Sequence, residues 1–165
     1  MQLQNMDAPI ISVITVCYNV ASTIEKTMLS VLNQTYKNLE YIIIDGNSTD
    51  GTVDIIKKYA ERLTFWISEP DKGIYDAMNK GIVKATGKFL IFMNAGDQFL
   101  NEKVLSKCLP YFLQEIDVIS GIGYLSGQKW IPAKATDLSV AFFLKRSLNH
   151  QATFINRKLF QDNLY

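Results

Sequence analysis

Three apolar segments of this 165-residue sequence are each followed at once by side chains that can bind a polar ligand. The apolar segments are residues 10–16, 39–44 and 89–93, and the polar segments that follow them are 17–19, 45–48 and 94–97. Short apolar runs bounded by turn residues are typical of buried parallel strands, and ligands gather outside the carboxyl ends of such strands. Carboxylate and amide oxygens at this edge can accept hydrogen bonds from a base or ribose, or hold a divalent cation beside a pyrophosphate. The pattern favours binding of an activated phosphate ester.

Each of these polar residues also has a purely structural explanation. Asp45 can be a turn or helix-capping aspartate, and Asp97 can be an acidic residue near a helix start. Tyr18 and Asn19 can pack on and cap the first turn. On spacing alone the two explanations are equally good for each aspartate. The coincidence of all of them at one sheet edge favours ligand binding.

The surrounding periodicity predicts strands and helices in alternation. The predicted helices lie at 22–33, 53–63, 74–85 and 101–112, the later strands at 64–68, 89–93, 118–121 and 152–155, and a hairpin at 124–131. A capping box at 22–25 would start the first helix, Gly87 lies where a helix commonly ends, and Asn101 can cap the fourth helix. This order predicts one domain over residues 1–165, with a three-layer α/β/α fold, a mostly parallel sheet and antiparallel strands near the C-terminal end.

Composition excludes several classes of function. The 17 basic and 16 acidic residues give a net charge of +1, which does not favour nucleic acid as a partner. Cys17 and Cys108 lack C-x-x-C spacing and are expected to be buried thiols of a reducing compartment. No apolar run approaches the ~18 residues of a membrane span, and no secretory signal is visible. We therefore expect a cytoplasmic location and no transmembrane segment.

Four motifs in order, TVCYN, YIIIDGNSTDGT, SEPDKGIYDAMNKGI and ATGKFLIFMNAGD, resemble the family 2 glycosyltransferases, which have the nucleotide-sugar-binding GT-A fold. The resemblance runs from residue 10 to residue 97 and extends more weakly to 150–154. It implies a pocket for a nucleoside-diphosphate sugar, in which Asp45 stands at an open strand end and accepts a hydrogen bond from uracil. The residues that the resemblance places at the nucleotide are Thr15, Val16, Tyr18, Asn19, Asp45, Asn47, Asp71, Gly73, Asn94 and Ala95.

A divalent metal, Mg²⁺ or Mn²⁺, is also implied by the resemblance, with Asp97 and Asn94 as its ligands. The sequence departs from the family's D-x-D pattern, because Asn94 and Gly96 stand where carboxylates would be and only Asp97 keeps a charge. Fewer carboxylates should weaken such a site.

His150 is the single histidine, and it lies in the segment HQATF. The resemblance implies an active-site group near the phosphates or the acceptor, whereas a lone histidine is otherwise a structural hydrogen-bonding residue. Lys72, Lys80 and Lys84 can assist the phosphates, but lysines on an amphipathic helix usually form its solvated face.

The implied activity is inverting transfer of a sugar from a UDP-linked donor to the hydroxyl of a saccharide or lipid-linked acceptor. Such enzymes build bacterial surface polysaccharides, here expected in the cytoplasm, at the inner face of the membrane. We expect an N-terminal portion of the enzyme, with the catalytic base beyond Tyr165 and with an apolar segment at 140–144 that promotes self-association. The alternative is a nucleotide-sugar-binding fragment without turnover. A nicotinamide-dependent dehydrogenase is disfavoured, because residues 17–22 lack a G-x-G-x-x-G turn.

Overall fold

The fold is organised around a fully buried strand, β1 (Ile11–Cys17), whose seven residues are all shielded from solvent. Residues of this kind, apolar and rich in β-branched side chains, suit a strand that is covered on both faces. The computed structural model describes residues 8–125, 128–131, 150–161 and 164–165. Within that part of the chain, β1 pairs in parallel with a neighbour on each side.

The other elements follow in the predicted order. The strands are β2 (Leu39–Asp45), β3 (Phe65–Ser68), β4 (Phe89–Phe92), β5 (Val118–Ser120), β6 (Gly123–Leu125), β7 (Gln128–Trp130) and β8 (Thr153–Asn156). The helices are α1 (Ile24–Leu32), α2 (Thr52–Lys58), α3 (Ile74–Lys84) and α4 (Val104–Phe112), with short 3-10 turns at Ala60–Arg62, His150–Ala152 and Arg157–Phe160.

Six strands form one mixed sheet in the order β3-β2-β1-β4-β8-β5. Strands β3, β2, β1 and β4 are parallel, whereas β8 lies antiparallel between β4 and β5. The hairpin β6-β7 forms a separate antiparallel pair. The predicted sheet, with its antiparallel strands near the C-terminal end, is confirmed.

Helices cover both faces of this sheet and give the molecule three layers. Alternate residues of β1 point to opposite faces, so that Val13 packs with α1, α2 and α4 while Ile14 packs with α3. A methyl group at Gly81 of α3 would lie 2.5 Å from Ile14 Cγ2. Glycine at this position therefore allows α3 to approach the sheet closely.

Two local predictions at helix ends are wrong. The capping box does not form: α1 starts after Thr23 without a side-chain cap, and Glu25 instead accepts hydrogen bonds from Lys58 Nζ (2.7 Å) and Tyr59 Oη (2.6 Å). A charged partner on α2 competes with the backbone for that carboxylate. Gly87 does not end a helix, because α3 stops at Lys84.

The predicted cap at Asn101 forms one turn earlier than the fourth helix. Asn101 caps a turn before α4, accepting from the Lys103 N–H at 3.0 Å, while the helix itself begins at Val104. The predicted hairpin forms between β6 and β7. Residues 140–144 lie outside the described residues. Within the described residues, no helix combines the length and apolarity needed to cross a membrane.

Glu40 connects the amino-terminal ends of neighbouring strands, at the end of the sheet opposite the polar strand ends. Its Oε2 accepts hydrogen bonds from Ser12 Oγ (2.6 Å), the Thr86 N–H (2.9 Å) and the Gly87 N–H (3.2 Å), and its Oε1 accepts from the Thr86 hydroxyl. A methyl group at Gly87 would lie 2.5 Å from Ser12 Oγ, so glycine is required for this approach. Burial opposes ionisation of Glu40, but these hydrogen bonds outweigh it and hold the pKa of the carboxyl below its usual value.

We expect Glu40→Gln to lower the free energy of unfolding at pH 7 by roughly 1–3 kcal/mol, because charge-assisted hydrogen bonds are lost. A carboxyl whose pKa is lowered in the folded state stabilises above its ordinary pKa of 4.5, and this contribution is lost as the pH falls. The stability of the wild type should therefore fall more steeply below pH 5 than that of the variant. Urea denaturation at pH 7 and pH 4 measures both effects. Glu61→Gln, at an exposed position, is the control. Equal free energies of unfolding for Glu40→Gln and the wild type at pH 7 would show that the hydrogen bonds of Glu40 do not stabilise the fold.

Candidate functional site

The carboxyl ends of β1, β2 and β3 place three polar side chains next to one another. In the register of the sheet, Cys17 lies beside Asp45, and Asp45 lies beside Ser68. The end of β4 joins this edge on the other side of β1, where the Met93 N–H donates to Ile14 O at 2.9 Å. The strand ends that the sequence predicts to meet do share one edge.

Asp45 is a buried carboxylate held by donors from three strand ends. It is 0% exposed. Oδ1 accepts from Ser48 Oγ at 2.5 Å and Cys17 Sγ at 3.5 Å, and Oδ2 accepts from Ser68 Oγ at 2.6 Å and the Ser48 N–H at 2.9 Å. A buried charge requires such compensation. The expectation of an open position is therefore corrected: a base N–H can reach this carboxylate only by replacing one of its present donors.

Cys17 serves as one of these donors and not as a nucleophile. Burial, followed by the charge and hydrogen bond of Asp45, raises the pKa of the thiol well above its usual value. The thiol therefore stays protonated, with Sγ directed at Asp45 Oδ1. Both Cys17 and Cys108 are free cysteines, as the sequence predicts.

The loops after β1 and β2 are locked to each other. The Asn19 N–H donates to Ser48 Oγ at 2.8 Å, and Asn19 Oδ1 accepts from the Thr49 N–H at 2.9 Å. Asn19 and Asn47 adopt positive φ angles of 52° and 67°, a conformation that asparagine tolerates better than most residues. The Ser48 hydroxyl thus links the first loop to the buried carboxylate.

Asp50 strengthens the same connection. Its Oδ2 accepts from the Ala21 N–H at 2.9 Å, and its Oδ1 accepts from the N–H and the hydroxyl of Thr52 at 3.0 and 2.6 Å. The Ala21 hydrogen bond is the largest of the contributions that lower the pKa of this carboxyl. The two loops therefore form one preorganised surface.

Tyr18 and Asp71 converge on Gly46 at the tip of β2. A methyl group at Gly46 would lie 2.5 Å from Asp71 Oδ2 and 3.4 Å from Tyr18 Cδ2. Tyr18 is 62% exposed, so its ring is available to a ligand. Asp71 Oδ1 accepts from the N–H of Gly73, whose φ of 116° favours glycine, at 2.8 Å. An aromatic ring and a carboxylate thus lie against Gly46 at the tip of β2.

Thr15 and Val16 are not part of this surface. Their side chains are 0% and 6% exposed, and the Thr15 hydroxyl donates to Met93 O at 2.7 Å and shares a hydrogen bond with Tyr41 Oη at 3.0 Å. This corrects the expectation that the two side chains face a ligand. The Thr15 hydroxyl and the backbone carbonyl of Val16 instead hold the segment that follows β4, because Val16 O accepts from the Ala95 N–H at 3.5 Å.

The polar segment after β4 is a tight turn. The Asp97 N–H donates to Asn94 O at 2.9 Å, and Gly96 has a φ of 107°, as a type II turn requires of its third residue. The Gly96 N–H donates to the buried Thr27 Oγ1 at 2.9 Å, which ties the turn to α1. The turn carries Asn94, Ala95 and Asp97 as predicted, next to the end of β1.

The donor chemistry of this turn suits a metal that arrives with a diphosphate. Among the described residues, no group of three or more His, Cys, Asp or Glu side chains could hold a metal ion. The turn offers one carboxylate, from Asp97, and one amide, from Asn94. Mg²⁺ is commonly bound by one or two carboxylates, water and substrate phosphates. These two residues fit that mode.

The backbone of His150 lies at the same edge of the sheet. It opens the 3-10 turn that precedes β8, and β8 runs antiparallel to β4, so the start of β8 lies beside the end of β4. The orientation of its side chain lies outside what the structure describes.

Sequence reasoning missed Ser68 and placed Ser48 only within the polar segment 45–48, without assigning it a contact. Ser48 had a signal, since Asp45-x-x-Ser48 has the spacing at which an aspartate accepts from a nearby backbone N–H. No local sequence signal marks Ser68, because it contacts Asp45 only through the pairing of β2 with β3.

Known proteins resemble this chain over most of its length. The family model described as "Glycosyl transferase family 2" matches residues 12–162. A protein of Mycobacterium bovis (strain BCG / Pasteur 1173P2) named PGL/p-HBAD biosynthesis glycosyltransferase is 34% identical over 161 residues, covering 94% of this chain and 62% of its own length. The putative teichuronic acid biosynthesis glycosyltransferase TuaG of Bacillus subtilis (strain 168) is 37% identical over 119 residues, covering 70% of this chain and 47% of its own. The chain thus spans only part of the relatives that it matches.

Solved structures share the fold. S. aureus TarS 1-349 superposes with a TM-score of 0.75 at 21% identity, covering 93% of this chain and 49% of TarS 1-349. The mannosyltransferase PcManGT of Pyrobaculum calidifontis, solved with GDP-Man and Mn²⁺, gives a TM-score of 0.63 at 25% identity, covering 69% of this chain and 35% of its own. The likeness confirms the three-layer fold of GT-A type.

The match extends over most of the chain, and it includes the segments that carry Asp45, Asp71 and Asp97. By this match and by its identity to the mycobacterial protein, the chain belongs to glycosyl transferase family 2.

Proposed function

We propose that this chain binds the donor of a sugar transfer, a nucleoside-diphosphate sugar with uridine as the nucleoside. The observation that carries the proposal is the convergence of Tyr18 and Asp71 on Gly46, the residue that follows the buried Asp45. An exposed aromatic ring can stack on a base, and a carboxylate accepts the N–H that a base presents. TarS, which has this fold, has been solved with UDP and with UDP-GlcNAc.

The nucleoside and the diphosphate would occupy different strand ends. Asp45, Asp71, Tyr18, Asn19 and Asn47 would surround the nucleoside at β1 and β2. The turn after β4 would lie at the diphosphate, where Ala95 and Gly96 leave room for a close approach. When bound, a divalent cation would neutralise the leaving diphosphate, with Asp97 and Asn94 as its protein ligands.

The reaction proposed is transfer with inversion. The acceptor hydroxyl oxygen bonds to the anomeric carbon, the bond from that carbon to the diphosphate oxygen breaks, and a base takes the acceptor proton. His150 is proposed as an active-site group beside the phosphates or the acceptor, because its backbone lies at the same edge of the sheet. The carboxylate of Asp45 is not a candidate base, since its donors occupy both oxygens.

The acceptor is proposed to be a saccharide or lipid-linked saccharide of a bacterial surface polymer or glycolipid. Support comes from the names of the relatives, which refer to PGL/p-HBAD and to teichuronic acid biosynthesis. We place this reaction in the cytoplasm, at the inner face of the membrane.

A second candidate is donor binding without turnover by this chain. A chain that binds UDP-sugar but neither hydrolyses nor transfers it would support this candidate.

We expect Asp45→Asn to weaken UDP binding about ten- to a hundred-fold, since a charge-assisted hydrogen bond is worth roughly 1.5–3 kcal/mol. The variant should also unfold more readily, because an amide NH₂ would face the donors from Ser48 or Ser68. Isothermal titration with UDP and thermal unfolding measure the two effects.

Ser68→Ala is the matched control for this prediction. It removes a donor that now occupies Asp45 Oδ2 but keeps the carboxylate, so the affinity for UDP should be unchanged or higher. A folded Asp45→Asn that binds UDP as tightly as the wild type would exclude the proposed contact. A loss in Ser68→Ala as large as that in Asp45→Asn would show that Asp45 only holds the loops together.

Mn²⁺ should bind weakly to the chain alone and should tighten the binding of UDP, because the turn after β4 offers a single carboxylate. Asp97→Asn should abolish the tightening while leaving the affinity for uridine unchanged. Titrations of UDP and uridine with Mn²⁺ or EDTA test this. Asp54→Asn, on the exposed face of α2 with a side chain 84% exposed, is the control. Tight Mn²⁺ binding without nucleotide, or an unchanged effect of Mn²⁺ in Asp97→Asn, would refute the assignment.

A further inference from the structure

Lys80 of α3 contacts the loop between β3 and α3 at several points. Its ammonium group lies 2.9 Å from Glu69 Oε1, donates to Pro70 O at 2.9 Å and lies 3.7 Å from Asp76 Oδ2. The side chain is 26% exposed, less than either acidic partner. The hydrogen bond to Glu69 raises the pKa of the Lys80 ammonium, which therefore stays charged.

The remaining residues of this loop are tied to the same centre. Asp76 Oδ2, which faces Lys80, also accepts from the Lys72 N–H at 3.1 Å. Lys80 therefore holds residues 69 and 70 directly and residue 72 through Asp76. The loop is fastened on both sides of Asp71, the residue whose Oδ2 lies against Gly46.

From this arrangement we infer that Lys80 is a positioning residue that holds Asp71 over the tip of β2 for contact with the nucleoside. The inference rests on the proposed nucleotide-binding function. Lys80 would act through the loop and would not itself touch the donor. This assignment differs from both interpretations of its position in the sequence, a phosphate ligand and a solvated helix face.

The contacts of Lys80 argue against a phosphate ligand. Three protein oxygens already surround its ammonium group, and a phosphate would have to displace them. Lys84, one turn further along α3, differs: its ammonium lies 4.9 Å from the centre of the Phe65 ring. The acidic partners Glu69 and Asp76 are 42% and 37% exposed, and ion pairs open to solvent contribute little to global stability. Removing Lys80 should therefore change the geometry of the loop more than the stability of the fold.

Hydrogen exchange tests the fastening without any nucleotide. In Lys80→Met, the peptide that covers residues 69–76 should exchange faster than in the wild type, because the Lys72 N–H depends on the position of Asp76. Lys84→Met should leave this exchange unchanged. If thermal unfolding shows that Lys80→Met is poorly folded, Lys80→Gln takes its place. Unchanged exchange in the folded variant overturns the inference.

Titration with uridine and with UDP tests how Lys80 acts. If Lys80 positions Asp71, Lys80→Met should weaken the binding of uridine and of UDP by the same factor. That factor should be no larger than the loss in Asp71→Ala, and about ten-fold if the hydrogen bond from the nucleoside to Asp71 is lost. A phosphate ligand would weaken UDP and spare uridine, which would overturn the inference.

A double-mutant cycle with Asp71→Ala completes the test. If Lys80 acts through Asp71, Lys80→Met should cause no further loss of affinity in the Asp71→Ala background. Additive losses would contradict the inference. Failure of the wild type to bind uridine and UDP would overturn the proposed function and, with it, the claim that Lys80 serves the nucleoside. Hydrogen exchange would still decide separately whether Lys80 fastens the loop.

Discussion

The compensation of one buried charge determines how this edge of the sheet is built. Asp45 ends a strand whose preceding four residues are buried, and its own carboxylate is 0% exposed. A carboxylate in such surroundings is stable only when donors surround it, and they come from the ends of β1 and β3 and from the loop after β2. Because these donors are far apart in the sequence, their convergence locks the loops into one surface. The loop that carries Tyr18 depends on these contacts, because the N–H of the next residue, Asn19, donates to Ser48 Oγ.

The proposed function assigns two tasks to two strand ends. The tip of β2 offers an aromatic ring and carboxylates, which suit the donors and the flat face of a nucleoside. The turn after β4 offers small residues and a single carboxylate, which suit a phosphate and a metal that the phosphate helps to bind. In the proposed function, a turn without the D-x-D carboxylates can still bind a diphosphate together with a metal. Binding of the donor would then depend more on the nucleoside than on the diphosphate.

The sequence predicts the fold better than it predicts the site. Runs of β-branched and apolar residues locate β1 and β2, and three-and-four spacing locates α3, because these signals are local. Contacts between distant segments decide the rest. Glu25 pairs with Lys58 and Tyr59 instead of forming a capping box, and the hydroxyl of Thr15 points into the core at Tyr41. Ser68 reaches Asp45 only through strand pairing, which no local pattern encodes.

Backbone amide chemical shifts measure most directly whether the tip of β2 binds the nucleoside. Uridine alone, without phosphate or metal, should shift the amide signals of Gly46, Ser48 and Gly73 in a concentration-dependent manner. The amide of Gly87, which lies at the opposite edge of the sheet beside Glu40, should not move. Shifts confined to the turn after β4, or no shifts at all at saturating UDP, would contradict the account.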